Sequence, residues 1–183
     1  MISWLLAIGL SESFMTDSTK GATPYSSSYE LSERSVRPAL SLEARGDAFG
    51  VMLSYGEAGR KAHNVAYKDC VHADIRQDMQ AKWLGLQGTY TYQIWRFGLG
   101  LRAGVASVHS TNHEYGTYDA TQWVEHRNNT SEVRPLYGVA ADYDVAKQWK
   151  ARVEWQHMSH VEESQWTLSN TVNTVSFQLV RAF

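Results

Sequence analysis

Residues able to do chemistry gather in a few places. Residues 153–160 read VEWQHMSH. In a strand, one face of this stretch carries Val153, Trp155, His157 and Ser159, and the other carries Glu154, Gln156, Met158 and His160. A histidine and a serine on one face could work together: the imidazole takes the hydroxyl proton while the serine oxygen attacks an ester. The opposing reading is an apolar face that simply ends in polar surroundings. A second group, His63, Asp69, Cys70, His72 and Asp74, matches no standard zinc spacing, so a solvated loop is expected there. A third set is Glu43, Arg45, Arg102, Arg134, Asp142, Lys150, Arg152 and Glu154. These charges of both signs fall on alternating positions among glycines.

The elements that position these residues follow from hydrophobic period. The chain has 183 residues, with 17 basic and 19 acidic side chains and a net charge of −2. That length suits one domain, and that balance gives no bulk attraction to nucleic acid. One cysteine, Cys70, rules out an intramolecular disulfide. Mean hydropathy is −0.40, yet such averages miss barrels, because polar and apolar residues alternate along every strand. The opening MISWLLAIGL lacks a basic n-region and a small-residue cleavage site, and is read as the first strand of a mature chain whose export signal has been removed. No run of about 18 apolar residues is present, so no transmembrane helix is expected.

Eight segments alternate with period two. They are Ser3–Phe14, Val36–Gly46, Phe49–Gly59, Met79–Trp95, Phe97–His109, Val133–Asp144, Gln148–His160 and Thr171–Phe183. Tight connections (DA, WRF, VAKQ) alternate with long polar ones at about 15–35, 60–78, 110–132 and 161–170. Strict alternation of strand direction puts every long connection at one end. This predicts an all-β fold: an eight-stranded antiparallel up-and-down transmembrane β-barrel with a polar filled lumen, forming one domain over residues 1–183.

A soluble carrier barrel would turn its apolar face inward; a membrane barrel turns it outward. The mixed-sign charges suit a packed interior where they pair, and eight strands leave room for side chains but no open pore. The apolar face carries Trp4, Tyr55, Tyr92, Trp95, Tyr137, Tyr143, Trp149 and Trp155 near strand ends, the pattern of interfacial girdles. Lys82 sits just beyond Leu84 on that face, where it could meet a lipid phosphate. The 110–132 segment carries His113, Tyr115, Tyr118, Trp123, His126 and Arg127, residue types favoured at contacts with a partner.

With this alternation, the chain resembles the small eight-stranded outer-membrane proteins of Gram-negative bacteria, of the OmpX/Ail and OmpA-barrel type. The resemblance is architectural and covers the whole chain. Its most specific element is the terminal SFQLVRAF, where Phe177, Leu179 and Phe183 fit a closing strand read by the barrel-assembly machinery and Arg181 departs from the usual apolar residue. His157-x-Ser159 is similar to a second family, the outer-membrane lipid A 3-O-deacylases (PagL). That resemblance implies a lipid-facing catalytic pair on the penultimate strand, with an acid on the last strand orienting the histidine. Asn173 occupies the acid's place, and His160 replaces the asparagine that usually follows the serine.

The resulting expectation is a bacterial outer-membrane barrel. Its partners would be outer-membrane lipids or lipopolysaccharide, the assembly machinery through Phe183, and a surface partner through residues 110–132. No nucleic acid, cofactor or metal is called for. Its role would be in envelope integrity or adhesion through long loops. The alternative of another class is an ester hydrolase acting on lipid A through His157 and Ser159.

Overall fold

The computed structural model describes residues 2–17, 26–32, 36–68, 71–118, 121–159 and 170–183. Their strands are β1 (Ser3–Asp17), β2 (Ser26–Ser32), β3 (Val36–Arg45), β4 (Phe49–Lys68), β5 (Val71–Ile94), β6 (Phe97–Tyr118), β7 (Gln122–Ala146), β8 (Trp149–Met158) and β9 (Asn170–Ala182). β1 and β3 to β9 close into an antiparallel ring: β1 pairs with both β3 and β9, and β4 with both β3 and β5. β2 lies along β4 beyond β3, with Ser32 opposite Lys61. Closure leaves no open edge in the hydrocarbon region, where no water could hydrogen-bond one.

The expected alternation holds on every wall. Trp4, Leu6, Ile8 and Leu10 of β1 point out and are exposed, whereas Leu5, Ala7 and Ser11 point in and are buried. On β6, Leu99, Leu101 and Val105 face out while Arg102, Ala106 and Val108 face in. Short turns at Gly46–Ala48, Trp95–Arg96 and Lys147–Gln148 mark one end of the barrel. Trp95 takes a φ of 54° to make its turn. The first residue of β1, Ser3, and the last of β9, Ala182, lie at this same end.

At the other end the sequence expectation is corrected. Residues 60–78 and 110–132, expected as loops, are paired strand apart from their tips: Lys68 pairs with Val71, and Tyr118 with Gln122. The hydrophobic signal stops at the membrane edge, but the backbone ladder continues because strand pairing needs no apolar face. β5 has 24 residues, where about 10 span a bilayer. At roughly 3.3 Å per residue and a tilt near 40°, it rises far above the ~25 Å apolar band. β4 to β7 thus raise a sheet beyond the membrane. Among the described residues, the pairing of β7 with β8 reaches only Leu136, while its pairing with β6 runs on to Gln122.

The lumen is filled in layers. Toward the turn end, Leu5, Ala7 and Val180 pack together. Beside them lies a network of three guanidiniums and three carboxylates. Arg152 Nε donates to Asp142 at 2.6 Å and its Nη2 to Glu43 at 3.1 Å. Arg45 Nε donates to Glu43 at 2.8 Å, and its Nη2 stands 3.6 Å from Asp142. Arg102 pairs with Glu154. Thr89 donates to Glu43 at 2.8 Å and Gln156 to Glu154 at 2.6 Å. The expected luminal charges Arg134 and Lys150 also point inward but lie outside this network, paired with Glu132 and with Asp144 (2.7 Å).

Above a belt of Ser, Thr and Gln side chains the lumen turns apolar. Trp83, Met79, Leu136, Met158, Val108 and Val172 form a buried plug with Ala58, Ala81 and Ala106. The expectation of a polar lumen is therefore right for the charged layer and incomplete for the plug. Gly56 makes room for this plug, because a Cβ there would stand 2.3 Å from the Trp83 ring. A cavity of about 10 Å³ beside Ser41, Trp83 and Gln178 has room for about one water.

Arg152 is the hub, completely buried and bonded to two carboxylates. Replacing it with alanine removes the closest cation of Asp142 and one of the two guanidiniums bonded to Glu43. Arg152→Ala should lower stability by roughly 3–5 kcal/mol, read as a shift of the urea midpoint of the refolded barrel in detergent. An unchanged midpoint would show that the network contributes no net stability.

Candidate functional site

The structure places the sequence-derived candidates in three regions. The luminal charges belong to the sealed interior just described. The other two regions lie on the outer surface, one at the end of β8 and one on the raised sheet.

His157 and Asn173 are direct cross-strand partners on β8 and β9. The bond between His157 Nδ1 and Asn173 Oδ1 is 2.8 Å long, with the ring N–H donating to the amide oxygen. This fixes the tautomer and leaves Nε2 as an acceptor. The imidazole is flanked by Tyr137 (4.8 Å between ring centroids) and Trp155 (5.9 Å). Ser159, half-buried, follows the last residue of β8. Among the described residues, no hydrogen bond joins His157 to Ser159; His160, Glu162 and Glu163 lie outside them. Asn173 therefore makes the bond expected of the missing acid, which its residue type alone did not announce.

On the raised sheet, register assembles rows of outward-facing side chains. Lys61, Asp78, His113 and Arg127 stand in one row across β4 to β7. Arg76, Tyr115 and Glu125 form the next, and Asp74, Thr117 and Trp123 the one beyond. Near the membrane, Glu57, Lys82, His109 and Ser131 form another. Lys82 Nζ is 3.6 Å from Glu57 Oε1, so its nearest charge partner is a carboxylate of the chain itself. His109 Nδ1 meets Ser131 Oγ at 2.9 Å. His113 Nε2 meets Glu125 Oε1 at 2.9 Å, Tyr115 and Trp123 have ring centroids 6.3 Å apart, and Trp123 is 64% exposed. The expected members of this surface thus come together, except that His126 falls on the opposite parity and the Tyr118 side chain is not among the described ones.

The His63 to Asp74 group is split by the same pairing: His63 stands opposite Arg76 on β4, and His72 opposite Tyr67 on β5, while Asp69 and Cys70 lie outside the described residues. At the turn end, Arg181 has a physical account. Its guanidinium lies 5.5 Å from the Trp149 ring centroid and 4.9 Å from that of Phe183. A cation stacked on aromatic faces suits the interface level of a membrane.

Residues 40–183 match the family model of the OmpA-like transmembrane domain. The chain belongs to this family. It is an outer-membrane β-barrel, and the bacterial outer membrane is its location. No curated protein matches it in sequence. Among solved structures it is similar to Ail, the attachment invasion locus protein of Yersinia pestis (10% identity, 99% of this chain and 98% of that one, TM-score 0.60). Ail has also been solved with the heparin analogue sucrose octasulfate (TM-score 0.57). Neisserial surface protein A is similar too (10% identity, 98% and 97% coverage, TM-score 0.59), as is the outer-membrane protease OmpT of Escherichia coli (11% identity, 100% and 96%, TM-score 0.54). At these identities the likeness is one of fold.

The His113–Glu125 clasp has a defined pH response. The hydrogen bond from His113, aided by the charges of His113 and Arg127, holds the Glu125 carboxyl below its ordinary value of 4.5. A depressed carboxyl favours the paired state above its unfolded value and loses that contribution as pH falls through the folded value. The clasp should therefore be intact at neutral pH and open only below about 4.5. Amide exchange at the β6–β7 tip should accelerate in that acid window, and Glu125→Gln should remove the acceleration. Exchange that rises instead near pH 6 would assign the response to another group.

Proposed function

We propose that this barrel is a surface-interaction protein whose working surface is the sheet raised by β4 to β7. The observation that carries the reading is the length of those strands, 20 to 25 residues, against 10 to 15 for β1, β3, β8 and β9. A pore or an envelope strut gains nothing from so asymmetric a rim, whereas a rigid raised sheet presents side chains in fixed register away from the bilayer. The filled lumen argues against conduction. Ail, similar in fold, is an attachment invasion locus protein solved with a heparin analogue, which supports an adhesive role. In this reading the short turns and both termini face the periplasm and the sheet faces the exterior. Phe183 serves as the mark read by the assembly machinery, and Lys82 and His109 meet lipopolysaccharide at the outer boundary.

The test displays the full chain on Escherichia coli and counts bacteria attached to epithelial monolayers. A comparison variant replaces residues 60–79 and 112–128 with two-residue turns closing on the Gly59–Gln80 and Thr111–Asn129 pairs. Attachment should fall about tenfold or more while heat-modifiable migration shows the barrel still folded. Equal attachment by both forms would remove the raised sheet from the function.

One observation favours a second reading. Asn173 fixes the His157 tautomer with Nε2 as acceptor, the state a general base requires. In an ester hydrolase acting on lipid A, Ser159 Oγ would attack the acyl carbonyl as His157 Nε2 took its proton; the ester C–O bond would break and the lipid A hydroxyl would leave, taking that proton from His157. Water, deprotonated by His157, would then attack the acyl-serine, releasing the fatty acid and returning the proton to Ser159 Oγ. Incubation of the barrel with lipopolysaccharide should then liberate fatty acid by mass spectrometry, with no release from Ser159→Ala and less from Asn173→Ala. No release from the unaltered chain would discard this activity and leave the surface role untouched.

A further inference from the structure

Resting on the surface-interaction reading, we propose that the outward face of the raised sheet binds an uncharged saccharide, with Tyr115 and Trp123 as its stacking platform and Glu125 and Arg127 as its hydrogen-bonding rim. Charge balance decides the class of ligand. Among the described side chains of this face, Lys61, Arg76, Lys82 and Arg127 are matched by Glu57, Asp74, Asp78 and Glu125. Four cations against four carboxylates leave no net field for a polyanion. Cross-strand neighbours also alternate in sign, as with Lys61 beside Asp78.

A protein partner would have to desolvate this mixed lattice, and protein interfaces deplete charge at their cores. A sugar hydroxyl is both donor and acceptor, so a polyol can satisfy carboxylates and guanidiniums in the same footprint. The remaining need is a flat apolar surface for the C–H face of the ring. Tyr115 and Trp123 supply it, with an angle of 34° between planes. Both are rigid side chains that lose little entropy on contact. Glu125 braces the platform through His113, whose Nε2 lies 2.9 Å from its Oε1. His113 stacks in turn on Tyr115, 5.0 Å between centroids. Tyr115 is thus braced before any ligand arrives, and Trp123 packs against it, which lowers the cost of binding. Ser131, Asn129 and Thr111, in the rows toward the membrane, extend an uncharged polar track on the same face.

The experiment uses the full chain in nanodiscs over immobilised maltoheptaose, chitohexaose, galactan oligosaccharides and heparin, by biolayer interferometry. At least one neutral glycan should bind equally at low and high salt, because no ion pairing drives the contact. Trp123→Ala should weaken it about tenfold or more. Trp123→Phe should restore most of the affinity, and Arg96→Ala, in the turn at the far end of the barrel, should leave it unchanged. Binding to heparin alone, with steep salt dependence, would overturn the proposal in favour of an anionic ligand. Binding to none of the glycans would also overturn it, as would neutral binding indifferent to Trp123→Ala. Attachment that depends on the sheet but survives Trp123→Ala would keep the surface role and reject the saccharide. Glycan binding without any sheet-dependent attachment would do the reverse.

Discussion

In a bilayer no water is at hand for a backbone N–H or C=O, and the rest of this structure follows from that constraint. Strands can cross only if each is paired on both sides, so β1 must meet β9 and the sheet must close. Closure then gives every side chain one of two fates, lipid or lumen, at strict period two. Outward, that selects Trp, Leu, Val and Tyr. Inward, the same closure creates a narrow space that water cannot solvate well, so charges placed there must find each other. Arg152 between Asp142 and Glu43 is the outcome. Its energetic meaning is asymmetric: an intact buried pair adds little net stability, but a broken one is costly.

The layering of the lumen separates two tasks. The charged layer ties β3, β6, β7 and β8 together through long-range side-chain bonds. The apolar plug around Trp83 fills the wider upper part by shape, with Gly56 ceding space to the indole. Both layers make the barrel a pedestal. What it supports is the extension of β4 to β7, where the alternation continues but neither face meets lipid. There the outward parity becomes a lattice of paired charges and rings, held by the register that the membrane-spanning part established.

Much of this was legible in the sequence. The alternation at Phe97–His109 and at Val133–Asp144 put Arg102, Arg134 and Asp142 on one parity, and that parity faces the lumen. The tight turns fell where DA, WRF and VAKQ indicated. The raised sheet was not legible, because outside the bilayer residues 110–132 carry no apolar period to betray a strand. The plug was hidden for the opposite reason: Trp83 and Met158 sit on the inward parity, where membrane barrels are expected to be polar. Following that parity outward from Thr89 through Gln87 and Gly85 would have reached Trp83.

The sequence by itself determined the closed barrel, its orientation toward lipid and its location, because period-two alternation is a property of consecutive residues and needs no partner to be seen. Only the tertiary structure decided which inward charges meet, since Glu43 and Arg152 are 109 positions apart and are joined by barrel closure. It also decided the state of His157. The residue type at position 173 suggested an absent acid, whereas cross-strand register places an amide oxygen on Nδ1 at hydrogen-bonding distance. Trp123 and Tyr115 became one platform for the same reason. Register between strands, which no local stretch encodes, sets what a side chain has for a neighbour.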